Sequence, residues 1–356
     1  MNWQDQLLEW YDLNARELPW RGEPAGSRAA YPVWLAEILL QQTQVSRATG
    51  YFERFISAFP TVKDLANAPL EAVLKLWEGA GYYARARNLH RAAQIMAHRG
   101  IPSSYRAWLE LPGVGCYTAA AIASLSSNEA VAAVDGNVRR VLARLENVPI
   151  PSQDWLLTTA QVHLATPRVG AWNEALIELG ATLCTPKKPR CLDCPIANRC
   201  AALAAGTVLS VPAAKPRATV QAVYAVAKVI YWQGLVYLEQ RPKNGLLGGM
   251  FGFGLRYISA GNSPRAEGAT PSMRGFLTLN PLMEGVTPAL LEWGEFLGTI
   301  SHTMTHRQFT IDVYARQSNQ PNLTDPNSVA LPVLDRKILA LLESSLFVTR
   351  SELEPL

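Results

Sequence analysis

The chain has 356 residues, of which 49% are hydrophobic and 17% charged, with a formal charge of +4. That length suffices for two or three domains, each with its own core. No apolar run of about eighteen residues occurs and the opening Met-Asn-Trp-Gln-Asp-Gln lacks a secretion signal, so a soluble, intracellular, non-membrane protein is expected; the mild positive charge permits a polyanionic partner without requiring one.

Residues 1–206 read as helical almost throughout, with 3.6-residue apolar periodicity over 33–45, 70–77, 84–97, 117–126, 138–145 and 173–183. Residues 207–218, with Pro212 and Pro216, read as a linker. From 219 to 356 the period becomes two: 220–232 and 235–240 form a hairpin around Gln233-Gly234, and 309–315 alternates again. A polar loop at 262–274 and a closing amphipathic helix at 335–346 complete a smaller α+β domain. The expected fold is therefore a mostly α N-terminal domain followed by an α+β domain.

The most informative stretch lies between Leu111 and Arg140. It opens with Leu-Pro-Gly-Val-Gly, in which Pro112 fixes φ and Gly113 and Gly115 allow positive φ, just before a helix of small residues. Backbone amides at such a helix start suit an anion such as a nucleic-acid phosphate, although a plain helix-helix corner has the same sequence requirements. The stretch closes with Val-Asp-Gly-Asn-Val-Arg-Arg, which places Asp135 just ahead of another helix.

Two carboxylates are out of the ordinary. Glu37 sits in the apolar Val33-Trp34-Leu35-Ala36-Glu37-Ile38-Leu39-Leu40, where helical spacing would put it with Gln41 and Gln44 on one face. It is either part of a solvated polar stripe or a desolvated acid that holds a proton for donation. Asp135 is a helix N-cap by default, and helix-terminal amides would keep its carboxylate ionised. A protonated acid opposite an ionised one is the pairing that breaks glycosidic bonds.

Four of the five cysteines, Cys184, Cys191, Cys194 and Cys200, follow the spacing C-x6-C-x2-C-x5-C. Such clustering argues for a metal centre. Zinc is chemically suited to four thiolates, but one compact run of four resembles cubane iron–sulfur ligation more than paired zinc knuckles. The loop also carries Lys187, Lys188 and Arg190, which either meet phosphates or solvate a turn.

Together the hairpin, the Asp135 segment and the cysteine spacing resemble the helix-hairpin-helix DNA glycosylases that carry a [4Fe–4S] cluster. Leu-Pro-Trp-Arg at 18–21, Trp-Leu-Ala-Glu-Ile-Leu-Leu-Gln-Gln-Thr-Gln-Val at 34–45, Gly-Tyr-Tyr-Ala-Arg-Ala-Arg-Asn-Leu-His at 81–90 and Asn-Glu-Ala-Leu-Ile-Glu-Leu-Gly-Ala at 173–181 narrow the resemblance to the adenine glycosylases of the MutY type. It implies removal of adenine opposite 8-oxoguanine or guanine from double-stranded DNA, by base flipping. Glu37 would protonate the adenine and Asp135 would stabilise the sugar cation, with Tyr117 and Asn137 lining the same site. Gln41 would fill the vacated stack and Tyr82 would wedge beside the oxidised guanine; Arg21, Gln42, Gly113 and Gly115 complete the expected DNA contacts. The four cysteines would hold the cluster.

Bifunctional relatives of that fold use a lysine two residues after the second hairpin glycine, where this chain has Tyr117, so the resemblance implies a monofunctional enzyme. An endonuclease III-like glycosylase/lyase and a non-catalytic iron–sulfur DNA-binding protein are the alternatives. The second domain resembles a Nudix (MutT-like) lesion reader, in which Thr305 and His306 would meet 8-oxoguanine and Met304 replaces a usual Phe; Phe251 and Gly254 likewise replace a usual Trp and Pro. Residues 255–275 offer Glu267 as their one acid, so no Nudix hydrolase activity is expected. A monomer in the bacterial cytoplasm, associated with the nucleoid, is the expected setting.

Overall fold

In the computed structural model, residues 2–214, 219–242, 247–258, 294–304 and 306–351 are described. The chain forms two compact units, one from Met1–Leu76 and Arg85–Pro216, the other from Trp77–Ala84 and Arg217–Leu356. Among the described residues no helix is long and apolar enough to cross a membrane.

The first unit is helical: α1 (Trp3–Asn14), α2 (Ala30–Leu40), α3 (Val45–Ala58), α4 (Val62–Asn67), α5 (Leu70–Leu76), α6 (Ala84–Arg99), α7 (Tyr105–Leu109), α8 (Cys116–Ser127), α9 (Gly136–Leu145), α10 (Gln153–Val162), α11 (Val169–Thr182) and α12 (Ala201–Ala204). Apolar over most of its length and buried on nearly every side, α11 serves as its spine, packing against α1, α8 and α9. Leu7, Val138, Leu142, Trp172, Leu176 and Leu179 meet in that core, each fully buried aliphatic contributing about 1.5–3 kcal/mol. Gly180 permits the close approach of α11 to α9, because a Cβ there would lie 2.6 Å from the Asn137 Cβ.

The helix expected over 33–45 breaks. α2 stops at Leu40 and α3 begins at Val45, with Gln42 between them at φ 58°. Glu37, Gln41 and Gln44 therefore share no continuous helical face. Periodicity missed the break because the intervening Gln-Gln-Thr-Gln contains neither Gly nor Pro.

In the second unit β1 (Gln221–Trp232), β2 (Leu235–Tyr237), β3 (Glu239–Gln240), β4 (Phe251–Gly252), β5 (Gly254–Ile258), β6 (Glu295–Met304), β7 (Arg307–Gln317) and β8 (Leu323–Thr324) precede α13 (Val333–Ser351). The main sheet runs β6-β7-β1-β2-β8, with β5 also paired to β1 and β1 parallel to β7. Gln233 and Gly234, at φ 48° and 82°, make the tight turn expected between β1 and β2. Apolar residues of β1 and β7, among them Val229, Ile311 and Val313, pack with Leu334, Ile338 and Leu342 of α13.

Two segments are tied to partners distant in sequence. Residues 207–213 are docked on the helical unit: Val211 is buried, Arg144 Nε donates to its carbonyl at 2.9 Å, and Ala213 N donates to Pro149 O at 2.8 Å. Conversely, 77–84 group with the second unit, where Glu78 accepts from Arg336 Nε of α13 at 2.5 Å. Local composition does not reveal either tie, because both depend on partners more than fifty residues away in sequence.

Candidate active site

α2 is apolar on every side, with Tyr31 and all residues from Val33 to Leu39 buried, so Glu37 has no solvated stripe to join. It is 9% exposed. Burial is the main cause that raises its pKa from the usual 4.5 to about 7, opposed by a hydrogen bond from the Tyr117 hydroxyl and reinforced by the charges of Glu174 and Asp135. Burial likewise holds the Tyr117 phenol well above its ordinary range, so it remains a donor. Tyr117 comes from the first turn of α8 and packs on Ala120, Ala121 and Ala133.

Asp135 is the N-cap of α9, its Oδ1 accepting from Asn137 N at 2.8 Å and Val138 N at 2.7 Å. Asn137 Nδ2 donates to Oδ2 at 2.8 Å. Burial raises the Asp135 pKa and outweighs these hydrogen bonds and the nearby Arg140 charge. The structure thus brings Glu37, Tyr117, Asp135 and Asn137 together, from α2, α8 and α9. Asn137 Oδ1 in turn accepts from Arg140 Nη2 at 2.8 Å, and Arg140 also donates to Gly180 O and Cys184 O, both at 2.7 Å.

The hairpin lies between α7 and α8. Gly113 has φ 80°, and a Cβ there would lie 2.9 Å from the Asn88 Cβ, so both geometry and space demand glycine. Gly115 is different: its φ of −94° suits any residue, but nothing lies within 4 Å of where its Cβ would be. Its value is an open approach to the first amides of α8, which have no intrahelical partners.

Gln41 and Gln42 part company. Gln41 Nε2 donates to Thr118 Oγ1 at 3.2 Å and Gly113 O at 3.5 Å, while Gln42 is exposed in its left-handed turn. The side chain presented to solvent is therefore that of Gln42, not the Gln41 expected to fill the stack. Tyr82 is 48% exposed, at φ 47°, beside Gly81.

Arg21, expected among the DNA contacts, turns inward. Its Nε and Nη2 lie 3.0 Å from Glu174 Oε1 and Glu178 Oε2, and its side chain is largely buried. Arg28 makes a double contact with Glu174 at 2.8 and 2.9 Å, Tyr11 donates to the same carboxylate, and Arg16 pairs with Glu178. Sequence reasoning missed Glu174, Glu178 and Arg28. The available signal was the same as for Glu37: two carboxylates, four residues apart, inside the otherwise apolar α11.

Cys184, Cys191, Cys194 and Cys200 line one cavity with Arg144, Leu183, Arg190 and Leu203. Arg144 Nη1 donates to Cys184 Sγ at 3.2 Å. Yet among the described residues no three His, Cys, Asp or Glu groups converge as one metal ion would require. Four cysteine thiols around one cavity are a donor set that suits an iron–sulfur cubane, as it would zinc. Burial raises Cys194 to about 11, so thiolate ligation there needs a strong positive centre. Cys116, at the start of α8, stands apart from this set.

In the second unit His306 is exposed in the turn between β6 and β7, and its carbonyl accepts from Gln221 N at 2.7 Å. Met304 packs partly against the core rather than standing free as an apolar contact surface. Thr305, Glu267 and the 262–274 loop lie outside the described residues.

These features define a helix-hairpin-helix DNA-repair fold joined to a Nudix-like unit. The profile of the HhH-GPD superfamily of base excision DNA repair proteins matches residues 35–158, and that of the NUDIX domain matches 225–341. The human adenine DNA glycosylase is 33% identical over 90% of this chain and 68% of its own length; the mouse protein is 32% identical over 91% and 72%. The chain spans 46% of the Arabidopsis thaliana adenine DNA glycosylase, at 37% identity. A thermostable thymine-DNA glycosylase superposes with a TM-score of 0.52 at 25% identity, covering 57% of this chain and 95% of that one. The chain belongs to the adenine DNA glycosylases, N-glycosyl hydrolases of base excision repair.

Proposed function

We propose that the protein excises adenine mispaired with 8-oxoguanine or guanine in duplex DNA, as a monofunctional glycosylase. The observation that carries this reading is Glu37, a buried carboxyl with a pKa near 7 held by the Tyr117 hydroxyl and close to Asp135. With adenine extruded, the protonated Glu37 donates to a ring nitrogen, and the N-glycosidic bond breaks toward the neutral base. The positive charge that develops on the sugar favours the ionised form of Asp135, whose oxygens are already aimed by Asn137 and Val138. Water then adds to the sugar, gives up a proton to the Glu37 carboxylate and leaves an abasic site. The buried Glu174 and Arg21 lie near enough to act on Glu37 electrostatically, which supports a role for Arg21 beside the acid rather than on the DNA surface.

Gly113, Gly115 and the α8 amides would receive a phosphate, Gln42 would occupy the vacated stack and Tyr82 would wedge at the opposite base. His306, with Thr305, would contact 8-oxoguanine. Cys184, Cys191, Cys194 and Cys200 would hold a [4Fe–4S] cluster, which when bound supplies a covalent closure of the 184–200 loop. The working setting is a monomer on nucleoid DNA in a bacterial cytoplasm.

Duplexes bearing A opposite 8-oxoguanine, thymine glycol opposite A, or normal pairs test the reading, each with and without alkali. Base loss is expected from the first alone, with strand breakage only after alkali. Strand cleavage without alkali at thymine glycol, or no base loss anywhere, overturns it.

A further inference from the structure

The end of α2 is held from outside the helix. Because α2 stops at Leu40, its last carbonyls lack the amides that would follow in a longer helix. Arg85, from the first turn of α6, occupies that place. Its Nη1 lies 3.2 Å from Ile38 O and 3.3 Å from Leu39 O and donates to Gln41 O, and Thr43 Oγ1 is 3.5 Å from Nη1 and 3.4 Å from Nη2. A permanent cation at a helix C-terminus is electrostatically matched to the carbonyls there. The residue enclosed by these contacts is Gln42, exposed and at φ 58°, a conformation costly for a side chain other than glycine unless its surroundings enforce it.

We propose that Arg85 is a positioning residue for base extrusion. It fixes the Gln41–Thr43 turn in the left-handed shape that presents Gln42 to the base stack, and it acts through Gln42 without touching the base that is removed. The same clamp holds the Ile38 and Leu39 carbonyls, in the last turn of α2 that carries Glu37. This rests on the adenine-excision reading above. Lysine in its place keeps the charge but loses the planar fork that reaches several carbonyls and Thr43 together.

The test compares single-turnover excision of two adenines opposite 8-oxoguanine, one normally stacked and one flanked by abasic sites that have already unstacked it. Arg85→Met should slow the stacked substrate by at least about tenfold and the unstacked one by less than about threefold. The fluorescence rise of 2-aminopurine placed at the target position should shrink in parallel. Arg85→Lys should fall between, and adding it to Gln42→Ala should cost little beyond Gln42→Ala alone, since the two act at one step. Equal slowing of both substrates, or additive losses in the double variant, overturns the proposal. The Arg85→Lys arm decides the matter if Arg85→Met does not fold. Wild-type protein inert on both substrates would instead overturn the adenine-excision reading itself.

Discussion

Two groups of buried carboxylates lie in the helical unit, and they are treated in opposite ways. Glu174 and Glu178 would be raised by burial, but hydrogen bonds and charges from Arg28, Arg21 and Arg16 outweigh it and their pKa values fall below the usual 4.5. Glu37, on α2, receives a phenol instead, and among the described residues it enters no ion pair; its pKa rises to about 7. Burial is common to both. The difference is the partner: guanidinium makes a structural anion, whereas a hydroxyl leaves a carboxyl that keeps its proton near neutral pH and can give it away.

The sharpest way to break this comparison is to remove the transferable proton. Glu37→Gln should lower the single-turnover excision rate by about 10²–10⁴-fold with duplex binding nearly intact, and Asp135→Asn should act similarly. A rate within about threefold of wild type would refute the two-carboxylate chemistry.

Breaking the other group should instead cost the fold. Arg28→Ala removes two of the hydrogen bonds to the buried Glu174 and leaves it Arg21 and Tyr11, so a loss of about 3 kcal/mol in unfolding free energy is expected, read by denaturant titration.

The two groups should also differ in pH dependence. A carboxyl whose folded pKa is raised contributes stability below its unfolded pKa that is lost as pH rises through the folded value, here from 4.5 to about 7. Glu37→Gln should therefore be more stable relative to wild type at pH 8 than at pH 5, by an amount of order 3 kcal/mol. In the proposed mechanism the acid form does the chemistry, so kcat/KM should also decline above pH 7 or so, by about tenfold per unit. An excision rate flat to pH 9 would show that another group supplies the proton.

The smallest effect concerns the second unit. His306→Ala should narrow the preference for 8-oxoguanine over guanine by about tenfold, roughly 1.4 kcal/mol, and leave excision opposite guanine unchanged. An unaltered preference would remove His306 from lesion reading.

Much of this was legible in the sequence. Gly113 follows from its turn, Asp135 from its place ahead of a helix, the cysteine set from its spacing, and the β1–β2 hairpin from Gln233-Gly234, because each is a local rule of backbone geometry or ligand chemistry. Glu37 was visible as a carboxylate in an apolar run, but the run alone left its burial open. Tertiary structure decided that, by surrounding α2 on all sides. It also decided that Arg21 faces Glu174 and Glu178, that Gln41 ties to the hairpin while Gln42 stands free in solvent, and that 207–213 belong to the helical unit. In each case the partner lies far away in sequence, and the charge or exposure of a side chain is a property of what the fold places beside it.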